Sequence, residues 1–224
     1  MRAAALVTAA VIGTVPSVAL AGTYWVSPQG AAVWQDCEGT APLDGAAACD
    51  LDTANLNVAA GDRVVLREGS YVDQWIEPAA SGTDEDHRIV YAAHDGEQVV
   101  IQDGAYGIYL YKQSYVTVEG ITFTNLRRFF RIYSGHYNVI HHCDFDGRSD
   151  ESGDWSGAII ADDPNDDTDS SEDSTHNWVH HCTFYRWAWG AFDEHRGALL
   201  NIGNDQSAGD DSSFNLVEDS SFAY

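Results

Sequence analysis

The sequence predicts an all-β fold, a solenoid whose coils stack as a parallel β-helix, and two observations carry this prediction. One short cassette of alternating apolar residues occurs four times, at 115–123, 137–145, 176–184 and 214–222. Each copy ends in Phe, and these Phe residues lie 22, 39 and 38 residues apart. A period of about 20 to 25 residues, with one supersecondary unit per repeat, is typical of a solenoid.

Each cassette is predicted to form two strands joined by a sharp bend. Apolar residues alternate within each half, as they do in a half-buried strand. The alternation slips by one residue in the middle of each copy, at Gly120, His142, His181 and Asp219. A slip of one residue moves side chains to the opposite face unless the chain bends there. Both strands of a cassette therefore face the same core.

A third strand is predicted before each cassette. These segments are Gly107–Leu110, Phe129–Ile132, Gly157–Ile160 and Gly197–Leu200. Three short strands per coil, stacked on parallel sheets, make a β-helix. The pattern resembles the right-handed parallel β-helix proteins of the pectate-lyase-like superfamily, over roughly residues 61 to 224. This resemblance implies a right-handed coil, and it is more specific for fold than for activity.

The segments before the coils are predicted to be a signal peptide and a cap. Residues 1–21 combine Arg2, an apolar run without further charge and a small-residue end, which is typical of secretory signal peptides. The run is short for the competing reading, a membrane anchor. Residues 22–60 are predicted to form an N-terminal cap, with a short helix capped by Asp52 or Thr53 and running through Ala60. Residues 61–224 are predicted to form the β-helix, which we expect to be incomplete at the C-terminus.

The charge of the chain limits its partners. The 35 acidic residues against 11 lysines and arginines give a formal net charge of −24. Such a charge argues against binding to nucleic acid or to an anionic membrane. We expect a secreted monomer, in the extracellular space, the periplasm or on the cell surface, with a polysaccharide as its partner.

The four cysteines fall into two pairs. Cys37 and Cys49 flank a loop rich in Gly and Ala, and in an exported protein they are predicted to form a local disulfide. Cys143 and Cys182 occupy the same column of neighbouring coils. Strands about 4.8 Å apart allow a bond between them, while buried free cysteine is also a good core residue. Both states stay open for this second pair.

Two polar columns are predicted to be structural. Asn138, Asn177 and Asn215 should stack as a ladder of side-chain amides. His142 and His181 should stack at the bend, and their spacing matches the coil. That match favours a structural ladder over a metal site.

A substrate groove is predicted along the outer face of the third strands, because the connections on both sides of these strands are long in two coils. Two outward columns follow from the alignment: Tyr109, Arg131, Ile159 and Leu199, and then Tyr111, Tyr133, Ala161 and Asn201. Tyrosine rings suit sugar faces, and arginines suit the carboxylate of a uronate. Tyr109, Tyr111, Tyr133 and Arg128 are therefore the predicted substrate-binding residues.

The resemblance implies a polysaccharide lyase that cleaves uronate-containing chains by β-elimination. Such a lyase needs a base and a group that neutralises the uronate carboxylate. Arg131 is the predicted base, with Arg196 and His195 in reserve. The resemblance also implies calcium, and Asp162 and Asp163 are its predicted ligands through hard oxygen contacts.

The sequence leaves open whether the protein is an enzyme. It lacks the Lys-Ser and Arg-His-Gly motifs that alginate- and chondroitin-type lyases of this fold carry. Of the polygalacturonase motifs only the Asp-Asp pair at 162–163 is present, so a hydrolase is less favoured than a lyase. The alternative is a non-catalytic β-helix that binds glycan or mediates adhesion, since one fold hosts many functions.

Overall fold

The computed structural model describes residues 21–147, 157–161, 173–185, 200–202 and 212–223. Within these residues there are 17 strands, one α-helix and three short 3₁₀ helices. The α-helix, α1, spans Leu51–Asn57, and the 3₁₀ helices span Trp34–Asp36, Gly45–Ala47 and Glu85–His87. No helix in this part of the chain has the length and apolar character needed to cross a membrane.

The strands form three parallel sheets, and the chain visits them in turn. Sheet A contains β1 (Thr23–Val26), β2 (Arg63–Leu66), β4 (Ile89–Ala93), β7 (Val116–Glu119), β10 (Val139–His141), β13 (Trp178–His180) and β16 (Leu216–Glu218). Sheet B contains β3 (Gly69–Val72), β5 (Val99–Gln102), β8 (Thr122–Leu126), β11 (Asp144–Gly147), β14 (Thr183–Tyr185) and β17 (Ser221–Ala223). Sheet C contains β6 (Tyr106–Tyr111), β9 (Arg128–Tyr133), β12 (Ala158–Ala161) and β15 (Leu200–Ile202). This order is that of a parallel β-helix and confirms the predicted fold class.

The predicted cassettes are the units that stack. Each contributes its first half to sheet A and its second half to sheet B, and the residue between them has a positive φ. His142 and His181 both have φ 53°, and Asp219 has φ 46°. The imidazole rings of His142 and His181 stack as predicted, with centroids 4.9 Å apart.

The core is a column of stacked phenylalanine rings. Centroids are 4.8 Å apart between Phe123 and Phe145, 5.0 Å between Phe145 and Phe184, and 5.1 Å between Phe184 and Phe222. The first three side chains are fully buried, and Phe222 is 48% exposed. The predicted Phe column is therefore confirmed.

An aromatic column that the sequence analysis did not assign marks the corner where each cassette begins. It consists of Tyr115, Tyr137, His176 and Phe214, with φ between 55° and 58°. Successive rings stack with centroids 4.9, 4.8 and 5.1 Å apart. Non-glycine residues rarely adopt this left-handed conformation. Its recurrence at the same position of four coils shows that the chain turns in the same way at each of these corners.

The cysteines take the states that the sequence analysis allowed. Cys37 and Cys49 form a disulfide, with Cα atoms 5.6 Å apart. Cys143 and Cys182 are both free and buried.

Two details of the predicted local structure are wrong. The helix cap is Asp50, whose carboxylate accepts from the Thr53 amide (2.6 Å), and α1 ends at Asn57 rather than at Ala60. In sheet C, Ala158 pairs with Leu200 and Ile159 pairs with Asn201. The last strand is thus displaced by two residues, and Asn201 joins the column of Arg131 instead of the column of Tyr133.

Candidate functional site

The outer face of sheet C carries a continuous cluster of aromatic rings. Tyr106 lies 6.2 Å from Trp75 and 4.8 Å from Tyr109 between ring centroids, and Tyr109 lies 6.3 Å from Tyr133. These rings are tilted by 54° to 71° to one another. The rings therefore meet edge to face or at a tilt, not in a parallel stack. We call these four residues the aromatic platform.

The platform extends one coil further than the sequence analysis placed it. Ile76 forms an isolated parallel bridge with Ile108, so the segment of Trp75 and Glu77 adds a rung to sheet C. In this register Glu77 heads the column that continues through Tyr109. The Trp75 indole Nε1 donates to Glu77 Oε2 at 2.5 Å, which orients the ring. The sequence signal for this rung is the single Ile76 between Trp75 and Glu77, and it is weak.

Cations lie beside the platform. The Arg128 guanidinium sits 5.0 Å from the Tyr106 ring centroid, and the Lys112 ammonium sits 5.4 Å from that of Tyr111. With Arg127 and Arg131, these residues make four of the 11 lysines and arginines of the chain. Sheet C and its immediate connections therefore hold an unusual share of the positive charge.

Arg131 lies in the predicted column but does not project into solvent. Its side chain is only 2% exposed, and its Nη1 donates to the Phe130 and Gly157 carbonyl oxygens at 2.9 and 2.6 Å. Burial lowers the pKa of Arg131 to about 10. The guanidinium consequently remains protonated at neutral pH.

Two phenols of the platform, those of Tyr109 and Tyr133, are held in the neutral form by burial. Burial raises the pKa of Tyr109, and it also raises the pKa of Tyr133 even though the nearby Arg131 opposes the shift. A neutral phenol both donates and accepts a hydrogen bond, as a sugar hydroxyl requires. The site can therefore offer ring faces, hydroxyls and cations together.

The predicted site residues divide into two groups. Tyr109, Tyr111, Tyr133 and Arg128 share sheet C, as predicted, and Trp75, Tyr106 and Glu77 join them. The predicted calcium ligands and reserve catalytic residues, Asp162, Asp163, His195 and Arg196, lie outside the described residues. Among the described residues, no group of three or more His, Cys, Asp or Glu side chains is arranged to hold a metal ion.

The fold defines the chain as a parallel β-helix protein. No family model matches it, and no curated protein matches it. Among solved structures it is similar to pectate lyase Pel9A, with 16% sequence identity and a TM-score of 0.48. The match covers 88% of this chain and 62% of that lyase, so the chain spans less than two thirds of the lyase.

Proposed function

We propose that the protein is an exported, carbohydrate-active β-helix that binds uronate-containing polysaccharide along the outer face of sheet C. The observation that carries this proposal is the aromatic platform with Arg128 at its Tyr106 ring, together with Lys112 at the neighbouring Tyr111 ring. Aromatic faces accept the apolar C–H face of a pyranose, and a guanidinium pairs with a carboxylate through charge-assisted hydrogen bonds.

The charge distribution favours an acidic polymer over a neutral one. With a net charge of −24, most of this protein repels polyanions. A local group of cations is then useful only where an anionic ligand binds. Arg128 already contacts the Tyr106 ring face, so a uronate unit on this ring would lie within reach of the guanidinium.

The disulfide supports export. The bond between Cys37 and Cys49 requires an oxidising compartment, which agrees with the signal-peptide pattern of residues 1–21. We therefore place the protein outside the cytoplasm, where plant or bacterial polyuronates are accessible.

A second candidate function is β-elimination, in which Arg131, 2% exposed in this structure, would have to become accessible to the substrate to act as the base. An arginine becomes a usable base only when its pKa falls, and burial lowers this one to about 10. A lyase that used Arg131 would then be most active in alkaline solution. Asp162 and Asp163 would hold calcium against the uronate carboxylate, and Arg196 and His195 are the reserve bases.

The binding proposal is tested by affinity electrophoresis and calorimetry on polygalacturonate, alginate, chondroitin and a neutral galactan. Tyr106→Ala and Arg128→Gln should each weaken binding to the acidic polymer about 5- to 30-fold, since a ring or cation contact contributes about 1 to 2 kcal/mol. Tyr185→Ala is the matched control, because Tyr185 is 43% exposed on sheet B, away from the platform. Equal loss in the control, or equal binding of galactan, would contradict the proposal.

The lyase candidate is tested by the ultraviolet absorbance of unsaturated uronate products, with and without a chelator. Arg131→Gln removes the basic group and keeps N–H donors for the Phe130 and Gly157 carbonyls, so it should abolish the product while polymer binding persists. If Arg131 is the base, the rate of elimination should rise from neutral pH towards pH 10. Binding without any unsaturated product across this range would leave the glycan-binding module as the function.

A further inference from the structure

Four imidazoles form a compact array at the bend between sheets A and B. His141 stacks on His180 with centroids 5.0 Å apart, and His142 stacks on His181 at 4.9 Å. The array is therefore two histidine pairs, 141–142 and 180–181, one coil apart. Sheet C and its aromatic platform do not include any of these residues.

Within each pair the two Nδ1 atoms face each other. The His141 and His142 Nδ1 atoms are 2.8 Å apart, and the same distance separates those of His180 and His181. The left-handed backbone at the second histidine, φ 53° in both pairs, turns its ring back towards the first. In a regular strand the side chains of consecutive residues point to opposite faces. The bend instead brings the two Nδ1 atoms of consecutive histidines together.

This separation suits two ligands of one metal ion. Imidazole nitrogens bind transition metals at about 2.0 to 2.1 Å. Two nitrogens at a right angle around such an ion lie about 2.8 to 3.0 Å apart, and right angles are the geometry of square-planar or tetragonal Cu²⁺ and Ni²⁺. In each histidine pair, the two Nδ1 atoms therefore lie as far apart as two adjacent ligand atoms of a square-planar ion.

The hydrogen bonds around His141 place its proton on Nε2, the ring nitrogen that does not face His142. His141 Nε2 lies 3.1 Å from Glu119 Oε2, and Glu119 Oε1 lies 2.5 Å from the Arg63 guanidinium. The Arg63 guanidinium donates to one oxygen of the Glu119 carboxylate, and the other oxygen accepts from His141. Nε2 of His141 therefore carries the hydrogen, and Nδ1 presents its lone pair. A carboxylate behind a histidine in this way is the usual support of a metal-binding imidazole.

The second pair has carboxylates at comparable positions. His180 pairs in register with Glu218, whose Oε1 accepts from the Trp178 indole at 3.1 Å. His181 Nε2 lies 4.0 Å from Asp219 Oδ2. Both pairs are thus flanked by negative charge on a strongly acidic protein, which concentrates divalent cations.

We propose that each histidine pair binds one divalent transition-metal ion through its two Nδ1 atoms, with Cu²⁺ preferred over Ni²⁺ and Zn²⁺. Water completes the coordination, because no described group supplies a third protein ligand. The Nδ1 proton that lies between the two rings moves to Nε2 of its own imidazole, so that both Nδ1 atoms present lone pairs to the metal. Because a metal binds only neutral imidazole, binding weakens as the pH falls. The order of the metals follows their general affinity for nitrogen ligands.

The first experiment titrates Cu²⁺ into the tag-free chain at neutral pH and counts bound ions. We expect two ions per chain, one in His142→Asn or His181→Asn and none in the double variant. Asn tolerates the left-handed backbone at these positions, so the substitutions preserve the bend. His87→Asn is the matched control, because His87 is 59% exposed in its ion pair with Asp84, and it should keep both ions. A double variant that binds as much copper as the wild type would overturn the proposal.

A second measurement needs no variant. Electron paramagnetic resonance of the wild-type protein loaded with copper should show two imidazole nitrogens on each ion and dipolar coupling between ions about 5 Å apart, the spacing of stacked strands. Magnetically isolated ions, or a spectrum without imidazole nitrogen, would exclude the paired sites. Zn²⁺ should displace copper only at about tenfold excess or more.

Discussion

The side-chain amide of Asn138 donates from Nδ2 to Oδ1 of Asn177 in the next coil, at 3.0 Å. The same Oδ1 accepts the Asn138 backbone N–H at 3.0 Å. Asn177 repeats both contacts to Asn215, and its Nδ2 also donates to the Gly135 carbonyl at 2.8 Å. Each amide thus pairs with both backbone and side chain, and the predicted Asn ladder is confirmed.

Asn177→Asp should lower the free energy of unfolding by about 2 to 4 kcal/mol. The carboxylate has the same shape but no donor, so it faces the Gly135 carbonyl and Asn215 Oδ1 with the wrong polarity in a buried place. Urea denaturation measures the change. Asn57→Asp is the control, because it removes the same kind of donor, here to the Thr53 carbonyl, at the exposed end of α1, and it should cost less than about 1 kcal/mol.

Phe145→Ala should destabilise the protein by about 3 to 5 kcal/mol, because it leaves a cavity between the stacked rings of Phe123 and Phe184. Phe222→Ala removes a ring that is 48% exposed and should cost clearly less. Equal costs for the two substitutions, measured by chemical denaturation, would show that the column does not carry the core.

Glu97 should make the protein sensitive to acid. The Arg67 side chain, which donates to both carboxylate oxygens, lowers the pKa of Glu97 to about 2 from an ordinary 4.5. A lowered folded pKa means that the stabilisation is fully present above about pH 4.5 and is lost as the pH falls towards 2. Glu97→Gln should remove this part of the pH dependence and about 1 to 3 kcal/mol at neutral pH.

The measurement is the unfolding free energy of both proteins between pH 2 and pH 7. The two curves should converge as the pH falls through this window. Glu38→Gln, an exposed substitution, serves as the control and should follow the wild type throughout. A constant difference between wild type and Glu97→Gln would refute the role of the ion pair.

The disulfide should add about 3 kcal/mol of stability, since it links Cys37 and Cys49 at a sequence separation of 12. Under denaturing conditions without reductant, thiol counting should find two free thiols, from Cys143 and Cys182. In the native protein both thiols are buried and should react slowly. Four free thiols in exported material would disprove the bond.

Periodic features of this fold could be predicted from sequence, and features that depend on neighbouring coils could not. The Phe and Asn columns repeat with the coil, so alignment of the cassettes finds them. The predicted register of the last strand of sheet C was wrong by two residues, as the pairing of Asn201 shows. A shift of two residues keeps inward and outward positions the same, so the alternation of apolar residues does not detect it. Trp75 and Glu77 were missed because one isolated bridge at Ile76 places them.

The sequence predicted which residues lie at the site, but it did not predict how exposed their side chains are. Tyr109, Tyr111 and Tyr133 came from the alternation along two strands, which sets the face of a residue, and Arg128 came from the basic cluster just upstream. Whether a residue on that face is covered depends on side chains from other parts of the chain. Arg131 shows the difference, because it lies in the expected column and is nevertheless 2% exposed.

The left-handed corners also bear on how such a chain can grow. Val116 and Asn138 occupy the same place in successive coils and are 22 residues apart. A tandem genetic duplication of residues 115–136 would therefore insert one complete turn and lengthen the molecule by about 4.8 Å. The copied Tyr115 and Phe123 would extend the corner column and the core column. Val116→Asn in the second copy would restore the amide oxygen that Asn138 now presents to the buried Val116 N–H. Elongation by whole turns is thus open to this protein, whereas an insertion of a few residues within a turn must bulge outwards as a loop.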